Sequence, residues 1–598
     1  MKSSPFILCY TREVQNEQIY APKLAYSMHL AYSEDGKRYR PLNHNSGVLF
    51  ALATENPNGS LSAKCLRHPY LFRMADGAYG VVAVRTEPDG GPDVSSRGSV
   101  LLFVTEDLLQ YRELGLLNLK GDREIRDVKC EYDAANGNYI VHWSDGNGNA
   151  YRNVIADLAS LNGASAPEPA EPFAVGGISA DIEGIVPRNA ISVTPEVAER
   201  LVRKLTVPTN IRNEVPERVV AQSEAELNAI RAIAVYSDGT KAEKPVDWRA
   251  TEIDWNRPGT YRIAGRIRQD RFPFPVAPHR ADPCIAKWNG KFYFIATNDA
   301  DGNRSLSIRE ADTIPELIAA EETPILNTEM YDHLKSFLWA PELHAIGGEL
   351  YLFHAGSTGE FIHIQSHVMK LKKGGNPVAA SDWEAPVRVV RRDGSPLFEA
   401  GITLDMTVIQ WKERVYAVWA QRQLVPDDLG SWIYIAETNP GEPWKLRTDP
   451  VLLSRPEYGW ANNRTFVDEG PFALITDRKI FLTIAGALVD ATYCVGLLSA
   501  DPEADLLDPA NWIKRNYPLL TSRSVPGEYG PGHNSYVTDD DGVIWNVYHA
   551  RTGIDEPRCS GLRRVHFAAD GEPVLDLTEG RDVAPERAEV SMVVVVEG

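Results

Sequence analysis

Asn289-Gly290-Lys291-Phe292-Tyr293-Phe294-Ile295-Ala296-Thr297 joins a turn dipeptide to a run of aromatic and aliphatic residues. An Asn-Gly pair tolerates the left-handed backbone of a two-residue hairpin, and the run after it suits a strand. The phrase recurs. Leu350-Tyr-Leu-Phe-His354 follows Gly347-Gly348, and Arg414-Val-Tyr-Ala-Val-Trp419 follows a polar stretch that stands in for a turn. Further outward, Asp35-Gly36, Asp76-Gly77, Asn136-Gly137 and Asp541-Gly542 punctuate other short apolar runs. Helical periodicity is scarce. The clearest helix is Thr194-Pro-Glu-Val-Ala-Glu-Arg-Leu-Val-Arg-Lys204, with Thr194 as N-cap and Pro195 at the first helical position. The fold class expected is all-β.

Texture divides the 598 residues into segments. Residues 1–172 carry widely spaced strand–turn units and close in the soft stretch Asn162-Gly-Ala-Ser-Ala-Pro-Glu-Pro-Ala-Glu-Pro172. Residues 173–277 hold the helix and then short alternating strands that suit a small β-sandwich. Residues 278–575 repeat the strand–turn unit at a spacing that suits four-stranded propeller blades. Residues 576–598 end in Val590-Ser-Met-Val-Val-Val-Val596, read as a buried strand packing back on an unidentified neighbour.

With 62 Lys+Arg against 82 Asp+Glu the formal net charge is -20. Such a surface repels phosphate backbones and anionic lipid, so nucleic acid and membranes are not expected as partners. The apolar runs are too short to cross a bilayer. The start, Met1-Lys-Ser-Ser-Pro-Phe-Ile-Leu-Cys-Tyr, lacks the apolar core and cleavage site of a signal peptide, and a cytoplasmic location is expected. Six cysteines without Cys-x-x-Cys spacing read as reduced, mostly buried thiols.

Three acids stand in unusual settings. Asp282 lies in Arg280-Ala-Asp-Pro-Cys-Ile285, Asp405 in Gly401-Ile-Thr-Leu-Asp-Met-Thr-Val-Ile409, and Glu469 in Phe466-Val-Asp-Glu-Gly-Pro-Phe472. Asp-Pro and Glu-Gly-Pro can simply shape turns. Asp405 is harder to dismiss, because an acid among Leu404, Met406 and Val408 is costly unless it faces a polar centre. In a propeller the innermost strands converge on one axis, so acids from three blades can meet there.

At this point the segment 278–575 resembles glycoside hydrolase family 43. The carrying strings are Ala281-Asp-Pro283 with Gly290-Lys-Phe-Tyr-Phe294, Trp339-Ala-Pro-Glu-Leu-His344, Leu404-Asp-Met-Thr-Val408, Asp468-Glu-Gly-Pro471, and Tyr529-Gly-Pro-Gly-His-Asn-Ser535 with Val547-Tyr-His-Ala-Arg551. The run from Pro456 to Arg551 looks most like its exo-acting α-L-arabinofuranosidase branch. The resemblance implies a five-bladed β-propeller, inversion at the anomeric carbon, and no required cofactor; any calcium would be structural. It implies Asp282 as general base, Glu469 as general acid, and Asp405 as the residue that orients the acid and raises its pKa. It also matches His533 to an axial histidine beneath the sugar site, against the plainer reading of a loop-packing histidine. Arg551 is expected to hold a carboxylate or a sugar hydroxyl. Trp339 is read equally as a platform for a sugar face or as a core residue.

The string Tyr236-Ser-Asp-Gly-Thr240 with Val246-Asp-Trp248 and Pro258-Gly-Thr-Tyr261 resembles bacterial immunoglobulin-like modules. Residues 1–172 look like a partial, degenerate copy of the propeller, with His68-Pro69 where the third segment has Asp282-Pro283. A non-catalytic unit that narrows the active-site mouth is expected there, with a stability module as the plainer reading. The expected substrate is a short arabinan- or arabinoxylan-derived oligosaccharide, imported in keeping with the cytoplasmic reading. β-Xylosidase activity, or carbohydrate binding without turnover, stand as alternatives.

Overall fold

The computed structural model describes residues 4–15, 19 and 21–598. Asn289 and Gly290 both take left-handed backbone, with φ of 47° and 83°, and so close the hairpin between strands Arg280–Trp288 and Lys291–Asn298. These two strands and Ser305–Ala311 and Thr323–Asn327 make the first blade. Three further sheets follow the same order from Ser336–Ile346, Gly401–Trp411 and Asp468–Ile475 as first strands. The fifth runs Tyr529–Thr538, Ile544–Arg551, Arg558–Arg564, and takes its outer strand, Ala277–Pro278, from the start of the segment. That borrowed strand closes the ring. Each first strand packs on the next, and Tyr529–Thr538 returns to Arg280–Trp288, which makes a five-bladed propeller.

All five first strands carry the same irregularity. Register with the second strand slips between Ala281 and Cys284, Trp339 and Glu342, Leu404 and Thr407, Glu469 and Phe472, and Gly532 and Ser535. At each slip one residue takes left-handed backbone: Asp282, Ala340, Asp405, Gly470 and His533, with φ between 44° and 54°. Bulges of this kind bend a strand and re-aim a side chain. Pro283, Pro341 and Pro471 follow three of them, where an unpaired position tolerates a missing N–H. A left-handed non-glycine residue costs roughly 1–2 kcal/mol, so four strained residues at the axis mark a place where aim matters more than stability.

Three more four-stranded sheets form the amino-terminal unit, led by Cys65–Arg73, Ile125–Asp133 and, for the third, Ile185–Ser192 paired with Phe6–Arg12. The boundary expected at residue 172 therefore falls inside this unit, because a strand beyond the soft stretch returns to the first strand of the chain. Helix Pro195–Lys204 is capped by Thr194, whose Oγ1 accepts from Val197 N–H. Its Ala198 and Leu201 join a core shared by Leu109 and Tyr111 of this unit and by Trp460, Leu482 and Tyr517 of the propeller.

The sandwich pairs a sheet of Asn210–Glu214, Ala232–Tyr236 and Lys241–Lys244 with one of Arg218–Val220, Glu589–Val596, Gly259–Ile267 and Val246–Trp248. The carboxyl-terminal run thus finds its neighbour as an inner strand of the sandwich, not as a separate segment. Met592, Val594 and Val596 pack there against Trp248, Ile263 and Ile267. All six cysteines are free and buried. Among the described residues, no helix is long and apolar enough to cross a membrane.

Candidate active site

The bulges bring Asp282, Asp405 and His533 to the axis and place Glu469 one residue before the bulge glycine of its blade. Asp282 and Asp405 are buried, and Glu469 is partly open to solvent. Around Asp282, the Oδ1 oxygen has His549 Nδ1 at 3.1 Å, Arg558 Nη1 at 3.2 Å and His533 Nδ1 at 3.3 Å. Oδ2 accepts from Thr297 Oγ1 at 2.7 Å, and the same hydroxyl accepts from Ala340 N–H at 2.8 Å in the next blade. Burial alone would raise the Asp282 pKa. The Arg558 charge, with His533 and His549, outweighs it and holds the carboxyl well below the usual carboxylate range.

Glu469 is pushed the other way. Burial, and after it the Asp405 charge, raise its pKa to about 7, against a lowering contribution from Tyr493, whose hydroxyl donates to Oε1 at 2.8 Å. Asp405 is also raised, chiefly by burial. Its Oδ2 accepts the N–H of Gly470 at 3.0 Å, so it grips the backbone next to Glu469. Gly470 is required there: at φ 52° a Cβ would stand 3.0 Å from His533 Cγ and Nδ1. His533 is surrounded by carboxylates. Burial lowers its pKa, but Asp282, Asp405 and Glu469 together raise it above the usual histidine value. Two carboxyl groups with pKa values pushed in opposite directions therefore share one site.

Arg551 is turned to backbone carbonyls rather than to a carboxylate. Its guanidinium donates to the carbonyls of Glu556 and Val489, at 2.6 and 2.9 Å. Its cross-strand partner Arg558 reaches Asp282 instead and is held in place by Asp299, with Nε–Oδ2 2.9 Å and Nη2–Oδ1 2.8 Å. Two like charges face each other across the ladder, and each is drawn to different acceptors. Trp339 is half-buried beside the bulge residue Ala340; Nε1 donates to Asn303 Oδ1 at 2.9 Å and the ring packs edge-on to Phe337 and Phe361. Arg558, His549, Tyr493 and Thr297 were not reached from the sequence. His549 lies inside the string that ends in Arg551, and its burial is the signal that separates the two. Tyr493 stacks on His549 with centroids 5.4 Å apart. Among the described residues no group of acidic, histidine or cysteine side chains is arranged to hold a metal ion.

The sequence model described as Glycosyl hydrolases family 43 matches residues 272–573, and that described as a bacterial Ig-like domain (group 4) matches 232–269. Similar proteins include an extracellular exo-α-(1→5)-L-arabinofuranosidase of Streptomyces avermitilis, 32% identical over 53% of this chain and 65% of its own length. α-L-Arabinofuranosidase B of Pyricularia oryzae is 34% identical over 50% of this chain and 61% of its own. The chain therefore spans less than two thirds of these curated relatives. A crystal structure of α-L-arabinofuranosidase from Lactobacillus brevis aligns with 51% of this chain and 95% of that one, at 31% identity and TM-score 0.46. A second relative, from Streptomyces chartreusis, is likewise named extracellular, at 33% identity over 46% of this chain and 81% of its own. These names overturn the cytoplasmic expectation, and the preference for imported oligosaccharides falls with it. Since the family match runs from just before the ring-closing strand to beyond the last blade, the chain belongs to glycosyl hydrolases family 43.

Proposed function

We propose that this chain is an inverting glycoside hydrolase that releases terminal α-L-arabinofuranose from arabinan- or arabinoxylan-derived oligosaccharides. The observation that carries the reading is the opposed setting of two acids in one site, Asp282 against the Arg558 guanidinium and Glu469 beside the Asp405 charge. Inversion needs one carboxylate to activate water and one protonated carboxyl to serve the leaving oxygen. An ionised carboxylate offers about four acceptor sites. Arg558 donates to Oδ1 of Asp282, with the His533 and His549 rings close beside that oxygen, while Oδ2 accepts from the Thr297 hydroxyl and keeps a lone pair for water. Asp282 takes the proton of that water as it attacks the anomeric carbon. Glu469 gives its proton to the glycosidic oxygen, which departs with the bonding electrons. Asp405 stays outside the bond changes; it holds the Gly470 amide and its charge favours the protonated Glu469.

The arabinose preference rests on the names of the relatives. Hydrolysis of 4-nitrophenyl α-L-arabinofuranoside is compared with that of the β-D-xylopyranoside, using wild type and Asp282→Asn. The expected result is arabinoside turnover that falls by about 10²–10⁴-fold in the variant. Xylosidase activity alone would move the substrate and keep the mechanism. An Asp282→Asn protein of undiminished activity would remove the base assignment.

A further inference from the structure

The middle sheet of the amino-terminal unit repeats the axial device of the propeller. Its first strand slips register between Arg67 and Tyr70, and His68 stands at φ 54° before Pro69. Beside this bulge opens a cavity of about 390 Å³ lined by Arg67, His68, Arg85, Asp93, Arg97 and Arg126. That volume lies within the roughly 300–1,000 Å³ of small-molecule sites and takes a ring-sized ligand.

The charges of this lining do not balance internally. Arg85 is committed to Asp93, with Nε–Oδ2 2.7 Å, and Lys64 approaches the same carboxylate at 3.2 Å. Arg67 lies over the ring of Tyr26, 4.7 Å from its centroid. Among the described residues, neither Arg67, Arg97 nor Arg126 forms an ion pair or side-chain hydrogen bond. Of the two lining carboxylates, Asp93 is taken by Arg85 and Lys64, which leaves Glu124 to oppose these three cations. In a chain of net charge -20, uncompensated guanidinium groups around one concavity leave a local positive field that favours an anion. Guanidinium matches a carboxylate bidentately. Burial, with Arg188 nearby, lowers the His68 pKa to about 4, so that its ring enters this site as a neutral hydrogen-bonding group.

We propose that this cavity binds a carboxylated sugar, a hexuronate unit of a glycan, through Arg67, Arg97 and Arg126. The choice of a sugar rests on the reading of the propeller as a glycosidase; the choice of an acidic one rests on the cavity itself. Isothermal calorimetry on the full chain tests it with digalacturonate, its uncharged counterpart galactobiose and inorganic phosphate as probes. Digalacturonate is expected to bind with an affinity that falls as salt rises, and galactobiose to give no comparable heat. The double variant Arg97→Gln/Arg126→Gln, at exposed positions, is expected to keep its melting temperature and bind about 10- to 100-fold more weakly. Absence of digalacturonate binding, undiminished binding by the variant, or phosphate binding as tightly would overturn the proposal. Heat of binding is independent of turnover, so an inactive propeller that still binds digalacturonate would count against the glycosidase reading alone.

Discussion

Asp405→Asn removes a charge while leaving an oxygen to accept the Gly470 amide. Activity requires Glu469 to carry its proton, so wild-type kcat/KM is expected to fall as pH rises through about 7. The opposite limb is not set by Asp282 near neutrality, because that carboxyl stays ionised far into acid. Without the Asp405 charge, ionised Glu469 is less disfavoured and its pKa drops. The alkaline limb should then move by about one pH unit toward acid, with kcat reduced. A pH–rate profile whose limb does not move would show that Asp405 acts only through geometry. At this scale the sequence was informative for residues that break a pattern. An acid among Leu404, Met406 and Val408 has to face something polar, and it does. Arg558, Tyr493 and His549 break no pattern, since His549 and Arg558 are ordinary residues of a second and a third strand and Tyr493 directly precedes a third strand. Their roles depend on cross-strand register.

The bulge is the element that turns five plain hairpins into a site. Gly470 shows how tightly it is built, being left-handed and pressed against the ring of His533. Gly470→Ala should cost about 1–2 kcal/mol of stability from the backbone alone. It should also lower kcat by at least about tenfold, because His533 and the neighbouring Glu469 must shift. Gly290→Ala is the control. That glycine is equally left-handed at φ 83°, yet a Cβ there meets nothing within 4 Å. Its stability loss should be similar and its activity retained. Equal activity of both variants, read beside their melting temperatures, would mean that the bulge does not aim the acid. Asp282-Pro283, Ala340-Pro341 and Gly470-Pro471 advertise the bulge by their prolines. Asp405-Met406 and His533-Asn534 do not, so the device is complete only when the register slips are seen.

Across the whole molecule, what was legible depended on the distance between partners. Turn dipeptides and apolar runs are local, and they were sufficient for the all-β class and the propeller. The return of Ile185–Ser192 to Phe6–Arg12, and of Glu589–Val596 to Gly259–Ile267, are pairings between distant stretches that no local pattern announces. The error at residue 172 and the orphaned carboxyl-terminal strand follow from that. The shared core extends the same lesson, for Leu109 and Tyr111 pack with Trp460 and Tyr517 of the propeller, and Tyr111 N–H donates to Asn516 Oδ1 at 3.2 Å. Ring closure by Ala277–Pro278 fixes the blade of Asp282 against that of His533 and so sets the whole circle of bulges. The separation of base and acid across that circle decides stereochemistry, with inversion requiring room for a water between carboxyls roughly 6.5–9.5 Å apart. The most direct test is proton NMR of the first sugar released from an aryl α-L-arabinofuranoside, recorded before mutarotation. Inversion is expected to give β-L-arabinofuranose first; α-L-arabinofuranose as the initial product would contradict an inverting mechanism.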